Sequence, residues 1–199
     1  MKKQPIDIYY KHLSPELFNV SPVHKTIFIH IPKSAGTSIR YALFHSSIVR
    51  HISAEETNLK LWEKLETFSI IRHPSTRLIS HYKYHCKSGY NGILMKKFPD
   101  LKSYSIEEYM EKCVIGSKNL MFQPQFRFLV NSRSVSKPFV DTILRFEEME
   151  KIKKFLRKRF GIELPTLKTT ANISIPPLQK SLKLKIEDFY AVDFEQFGY

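Results

Sequence analysis

A lysine three residues ahead of a glycine, with two hydroxyl residues behind it, closes an apolar run. The stretch reads Thr26-Ile-Phe-Ile-His-Ile-Pro-Lys33-Ser34-Ala35-Gly36-Thr37-Ser38-Ile-Arg. These residue types at this spacing hold anions. A strand that turns abruptly into a helix presents backbone N–H groups and the positive end of the helix dipole, and phosphate is the usual occupant of such a turn. Gly36 permits close backbone approach, Lys33 supplies a mobile point charge, and Thr37 and Ser38 supply hydroxyl donors. The stretch is not a Walker A loop, in which the lysine follows the second glycine. Here the lysine comes first.

A second apolar run carries another set of cations: Phe68-Ser-Ile-Ile-Arg72-His-Pro74-Ser-Thr-Arg77-Leu-Ile-Ser80-His-Tyr82-Lys-Tyr84. Pro74 disfavours helix at His73, so a strand should end there and a helix begin near Ser75. That puts Arg72 at the carboxyl end of a strand, where open α/β sheets place their ligands. Arg77 and Tyr84 lie three residues before and four after Ser80, on one helical face.

The order Pro-Lys-x-x-Gly-Thr-Ser resembles the 5′-phosphosulfate loop of sulfotransferases that use 3′-phosphoadenosine 5′-phosphosulfate (PAPS). The pattern Arg-x-Pro-x-x-Arg-x-x-Ser-x-Tyr is similar to their 3′-phosphate motif. Three later blocks resemble one branch of that family, the carbohydrate and heparan 2-O-type enzymes and their bacterial relatives. They begin at Asn119 (Asn-Leu-Met-Phe-Gln-Pro-Gln125), Ile143 (Ile-Leu-Arg145-Phe-Glu147) and Tyr190 (Tyr-Ala-Val-Asp193-Phe). One departure is His73, where the branch most often has asparagine. The resemblance implies a P-loop-NTPase-like α/β fold and sulfuryl transfer from PAPS to a carbohydrate hydroxyl, without a metal. It assigns the 5′-phosphate to Lys33, Ser34, Ala35, Gly36, Thr37 and Ser38, and the 3′-phosphate to Arg72 and Ser80. Arg133, in the polar stretch Asn131-Ser-Arg-Ser, is a further candidate for the 3′-phosphate or the acceptor, or else belongs to a solvated loop.

Sulfuryl transfer resembles phosphoryl transfer in needing mostly positioning and electrostatic stabilisation. Lys33 is the choice for stabilising charge on the departing phosphate oxygen. The acceptor hydroxyl also needs a base, and histidine is best matched near neutrality. Of the eight histidines, His51 lies between the two donor motifs, just before a Ser53–Glu56 pair with capping-box spacing. Its context resembles the branch block that carries the proposed base. His73, beside Arg72, is the second choice. His30 is read as a structural histidine in the strand before the loop, and Arg77 as structural or as a support for the phosphate residues. Gln125 and Asn172 could touch donor or acceptor.

The elements that must position these groups alternate between strand and helix. Strands are expected at Thr26–Ile31, Thr67–Arg72 and Thr142–Phe146. Helices are expected at Thr37–His45, Ala54–Glu66, Ser75–Lys87, Ile106–Cys113, Lys118–Leu129, Glu147–Phe160 and over most of Leu178–Phe194. This predicts one α/β domain, residues 24–199, with a central parallel sheet flanked by helices and preceded by an irregular arm, residues 1–23. A chain of 199 residues with 42% hydrophobic and 13% aromatic content can bury one sizeable core and is not a disordered tail. No stretch approaches the roughly 20 apolar residues that span a bilayer. Because eukaryotic members of the branch usually carry an anchor, a cytoplasmic bacterial enzyme or a trimmed lumenal domain is expected. Cys86 and Cys113 form no disulfide framework or metal cluster, and Cys86 reads as a small buried hydrophobe.

The net charge of +13 fits nucleic acid, an anionic surface or an acidic substrate. Six cations fall in Lys151–Arg159, where apolar residues at helical spacing make them the wet face of an amphipathic helix. The anionic donor accounts for part of the remainder, and an anionic polysaccharide acceptor would use more. No nucleic-acid motif is visible. A small-molecule kinase with an atypical phosphate loop, a basic nucleic-acid-binding module and a nucleotide binder that has lost catalysis stand as alternatives.

Overall fold

A computed structural model describes residues 14, 17–46, 50–87, 90, 92–164 and 177–199. Asn172 lies outside the described residues, as do most of residues 1–23 and all of residues 165–176. Two compact units, interleaved along the chain, take the described residues within Met1–Arg72 and Gln125–Leu167, and within His73–Pro124 and Lys168–Tyr199.

The first unit holds the sheet, whose strand order follows the sequence. Strand β1 (Val20–Ser21) pairs antiparallel with β2 (Thr26–Ile29), and β2, β3 (Glu66–Ile71) and β4 (Thr142–Arg145) run parallel. The β-branched and aromatic runs of β2 and β3 are buried at alternating and intervening positions alike, as in a sheet covered on both faces. Phe28, Phe68 and Ile70 pack with Ile39 and Leu43 of helix α1 (Gly36–Phe44). Ile152 and Leu156 of the helix Met149–Phe160 join the same cluster. Side chains lock the register: Ser69 donates to Ile29 O at 2.8 Å, and the Asp141 carboxylate accepts from Thr67 N and Oγ1, both at 2.8 Å.

Strand β1 lies in the stretch read as irregular, and Phe18 beside it is fully buried. Two expected helices are broken. Over 54–66, the Glu56 carboxylate does return to Ser53 N and Oγ, both at 2.9 Å, but Thr57 Oγ1 bonds Ser53 O and closes a single turn. Asn58 then caps a separate one-turn helix, Leu59–Trp62. Over 118–129, Pro124 forces Gln123 into extended backbone (ψ 161°), leaving a 3₁₀ turn at Leu120–Phe122 and a short helix, Phe126–Leu129.

The basic helix behaves as its spacing predicts: Ile152 and Leu156 are buried, and Lys151, Lys153, Arg157 and Arg159 pair with Glu148, Glu150, Glu163 and Glu66. Such exposed pairs add little stability.

The second unit is helical. Helix Pro74–Tyr82 runs on as a π-helix, Lys83–Lys87, and helices Ile106–Tyr109, Lys180–Phe189 and Ala191–Phe197 enclose a core containing Leu78, Tyr109, Phe122, Ile186 and Tyr190. Cys86 and Cys113 are free and buried there, and burial pushes the Cys86 thiol up to about 12. Arg77, 1% exposed, donates to Gln123 O at 3.0 Å and Met121 O at 2.9 Å. Arg77→Leu should leave both carbonyls without this donor and lower the unfolding free energy by about 2 to 4 kcal/mol. A urea unfolding curve checks this, and a loss below about 0.5 kcal/mol would mean that these bonds carry no net stability.

Candidate functional site

Because β2, β3 and β4 are parallel, their carboxyl ends open at one edge of the sheet. The segment His30–Ala35 leaves the end of β2, Arg72 follows β3, and Phe146 follows β4. These three exits carry the site.

The loop after β2 is tightly curled. Lys33 and Ala35 both adopt left-handed backbone, with φ 66° and 61°. Each such non-glycine residue costs about 1 to 3 kcal/mol, so the surroundings must hold the loop in shape. Ala35 is the N-cap of α1; no side chain caps this helix end, and its first turn has no acidic residue. Thr37 is exposed and Ser38 half-buried just beyond it. The N-terminus of a nine-residue helix, bare of any anionic group of its own, is thus presented beside Lys33.

Gln125 fastens the loop to the end of β3. It is fully buried. Its amide oxygen accepts from Arg72 N at 2.8 Å and Ser34 Oγ at 3.4 Å, and its NH₂ donates to Arg72 O at 2.7 Å. The Arg72 guanidinium bonds Lys33 O at 3.1 Å and lies 4.1 Å from the centroid of the Phe146 ring. Lys33 therefore sits partly buried next to a second cation. Burial first, and then Arg72, push its ammonium from its ordinary 10.5 down to about 8. Concentrating positive charge in this way is unfavourable by itself and becomes favourable beside a bound anion. These residues fit the phosphate groups of a nucleotide.

Next to the loop stands a pair of histidines. The His30 and His51 ring centroids are 4.9 Å apart, with the rings at 64°. His30 is 2% exposed. Burial, followed by His51, Arg40 and Lys33, holds it well below the usual histidine value, so it is neutral at neutral pH. His51 is half-buried on a segment anchored on both sides. The Asn19 side chain donates to Ile52 O at 2.9 Å, and Ala54 N donates to Phe128 O at 2.8 Å.

Arg133 makes an exposed ion pair with Glu63 at 2.8 Å. Ser80 is half-buried in the helix Pro74–Tyr82 of the second unit. His73 caps that helix: its Nδ1 accepts from Ser75 N at 3.2 Å, the task an asparagine would perform at an N-cap. The bond engages the basic nitrogen of this imidazole, which weakens His73 as a candidate base. The sequence singles out Gln125 as a residue that could touch donor or acceptor but carries no signal for its clamping role, because its partners lie 53 and 91 residues away along the chain.

Among the described residues, no group of three or more His, Cys, Asp or Glu could hold a metal ion, and no helix is long and apolar enough to cross a membrane. A family model described as "Sulfotransferase family" matches residues 16–199. No curated protein and no solved structure matches the chain.

Proposed function

The chain belongs to the sulfotransferase family, and from that premise we propose that it transfers a sulfuryl group from PAPS to a carbohydrate hydroxyl with His51 as the base. The observation that carries the donor assignment is the junction of Lys33 and Arg72 beside an uncapped helix N-terminus. PAPS supplies the sulfuryl group and, once it is transferred, a phosphate leaving group. Lys33 holds positive charge next to the departing oxygen. The α1 N-terminus and the Thr37 and Ser38 hydroxyls hold the 5′-phosphate. Arg72 binds the 3′-phosphate, and the role of Ser80 there rests on its motif alone. His51 takes the acceptor proton, which makes the hydroxyl a competent nucleophile.

An anionic glycan is the acceptor class that best uses the chain's net charge of +13. Arg133 would serve such an acceptor by exchanging its exposed Glu63 partner for a substrate anion.

Isothermal titration with 3′-phosphoadenosine 5′-phosphate, against adenosine 5′-phosphate, tests the donor site. Arg72 provides charge-assisted hydrogen bonds, so Arg72→Ala should weaken the 3′-phosphorylated nucleotide about tenfold or more beyond whatever loss adenosine 5′-phosphate shows from release of the Lys33 carbonyl. Equal affinity of the wild type for both nucleotides, or no binding of either, would overturn the proposal. Sulfate incorporation across a panel of glycans then identifies the acceptor.

A further inference from the structure

His30 is a buried titratable group that the chemistry above leaves unused. It has three notable contacts. Its ring stacks on Phe28 of β2, at 6.0 Å between centroids and 14° between planes. Its other neighbours include the donor loop, Arg40 of α1 and His51. At Gly36 an added Cβ would stand 1.6 Å from His30 Cδ2 and 1.9 Å from Nε2, far inside any contact distance. All three of the nearest atoms to that Cβ belong to His30. On another side the His51 ring meets it edge-on at 4.9 Å.

The glycine of the loop is therefore fixed by more than phosphate access. Gly36 has no positive φ to explain it. What it needs is room, and the imidazole of His30 fills that room. One rigid ring, 2% exposed and held against β2, thus touches the first residue of α1 and the candidate base. Its Nδ1 has no hydrogen-bond partner among the described residues, so a polar network does not explain its presence there.

We propose that His30 is a positioning residue that sets the distance between the donor loop and His51, with Gly36 as its obligate complement. The inference rests on the sulfuryl-transfer reading and on His51 as the base. A shift of the loop would be passed to His51 through the ring, and removal of the ring would uncouple the two. His30 itself exchanges no proton with substrate.

A double-mutant cycle tests this with Gly36→Ala, His30→Ala and their combination. Affinity for 3′-phosphoadenosine 5′-phosphate is measured by titration, and turnover with PAPS and an acceptor glycan by sulfate incorporation. Gly36→Ala should weaken nucleotide binding about tenfold or more, because the new methyl forces the ring and the loop apart, and adding His30→Ala should restore most of that loss. His30→Ala alone should leave donor KM within about threefold while lowering kcat about tenfold, since the loop survives and His51 loses its stop. A double mutant as weak as Gly36→Ala, or a His30→Ala enzyme with unchanged kcat, overturns the proposal. Should Gly36→Ala fail to fold, the thermal midpoint becomes the readout: recovery of folding on adding His30→Ala supports the pairing, and no recovery overturns it. Loss of nucleotide binding by the wild type would instead strike the functional reading, so the two failures are distinguishable.

Discussion

Replacing Lys33 with alanine is expected to lower kcat by about 10²- to 10³-fold, the usual cost of removing a group aimed at charge that develops in the transition state. Donor affinity should fall less, because the helix N-terminus and Arg72 remain. The pH dependence makes the prediction sharper. Burial and Arg72 hold the Lys33 ammonium at about 8 rather than 10.5. A lysine is charged below its pKa and neutral above it, so the useful form is present on the acid side. In the free enzyme kcat/KM should therefore decline as pH rises through about 8. A bound nucleotide adds negative charge beside the ammonium and raises its pKa, which places the corresponding limb in kcat at higher pH. Lys33→Arg should remove the limb, because guanidinium keeps its proton, at some cost in rate from its different shape. Steady-state rates between about pH 6 and 9.5 test this, and a wild-type profile flat across that range would refute the assignment of the limb to Lys33.

The same loop shows which physics the sequence makes visible. The apolar runs of β2 and β3 and the prolines and small residues that end them are local signals. They mark the strand exits and the residues standing there, Lys33 and Arg72. Parallel pairing follows from helices falling between strands, and it brings those exits to one edge. The wet face of the helix Met149–Phe160 was legible for the same reason: periodicity is local.

What was hidden depends on contacts between distant residues. The Ser53–Glu56 pair forms one of the two capping-box bonds, Ser53 N to the Glu56 carboxylate, while the Ser53 hydroxyl donates to that same carboxylate; Thr57 bonds back to Ser53 O, and Asn58 starts a separate helix. The spacing names the residue pair and one of its bonds, and cannot say that the helix stops. Gln125 joins two strand exits through an amide that the sequence marks only as a polar candidate for donor or acceptor, with no hint of its bonds to Arg72 and Ser34. From spacing alone, Gly36 marks access for phosphate. Its crowding against His30 depends on how the loop folds back over the end of β2, which no spacing encodes. The strand Val20–Ser21 is too short for any period to show and exists because β2 offers it an edge.

His51→Ala is expected to lower kcat by about 10²- to 10⁴-fold while leaving affinity for 3′-phosphoadenosine 5′-phosphate within about threefold, the signature of a lost base rather than a lost binding residue. The separation should be clean, because Gln125 and Arg72, which tie the donor loop to the end of β3, stay in place. His51 is held from the backbone side, at Ile52 and Ala54, so truncating its ring leaves those anchors in place. A base works only unprotonated, so wild-type activity should fall on the acid side of its optimum. That acid limb should be missing from the residual rate of His51→Ala, and the Lys33 limb on the basic side should persist. Two independent limbs, each removed by one substitution, would assign proton removal and leaving-group stabilisation to separate residues. If His51→Ala keeps both limbs and a near-wild-type rate, the proton goes elsewhere. His30, neutral and within ring contact, would then be the next residue to test, and its role would change from spacer to base.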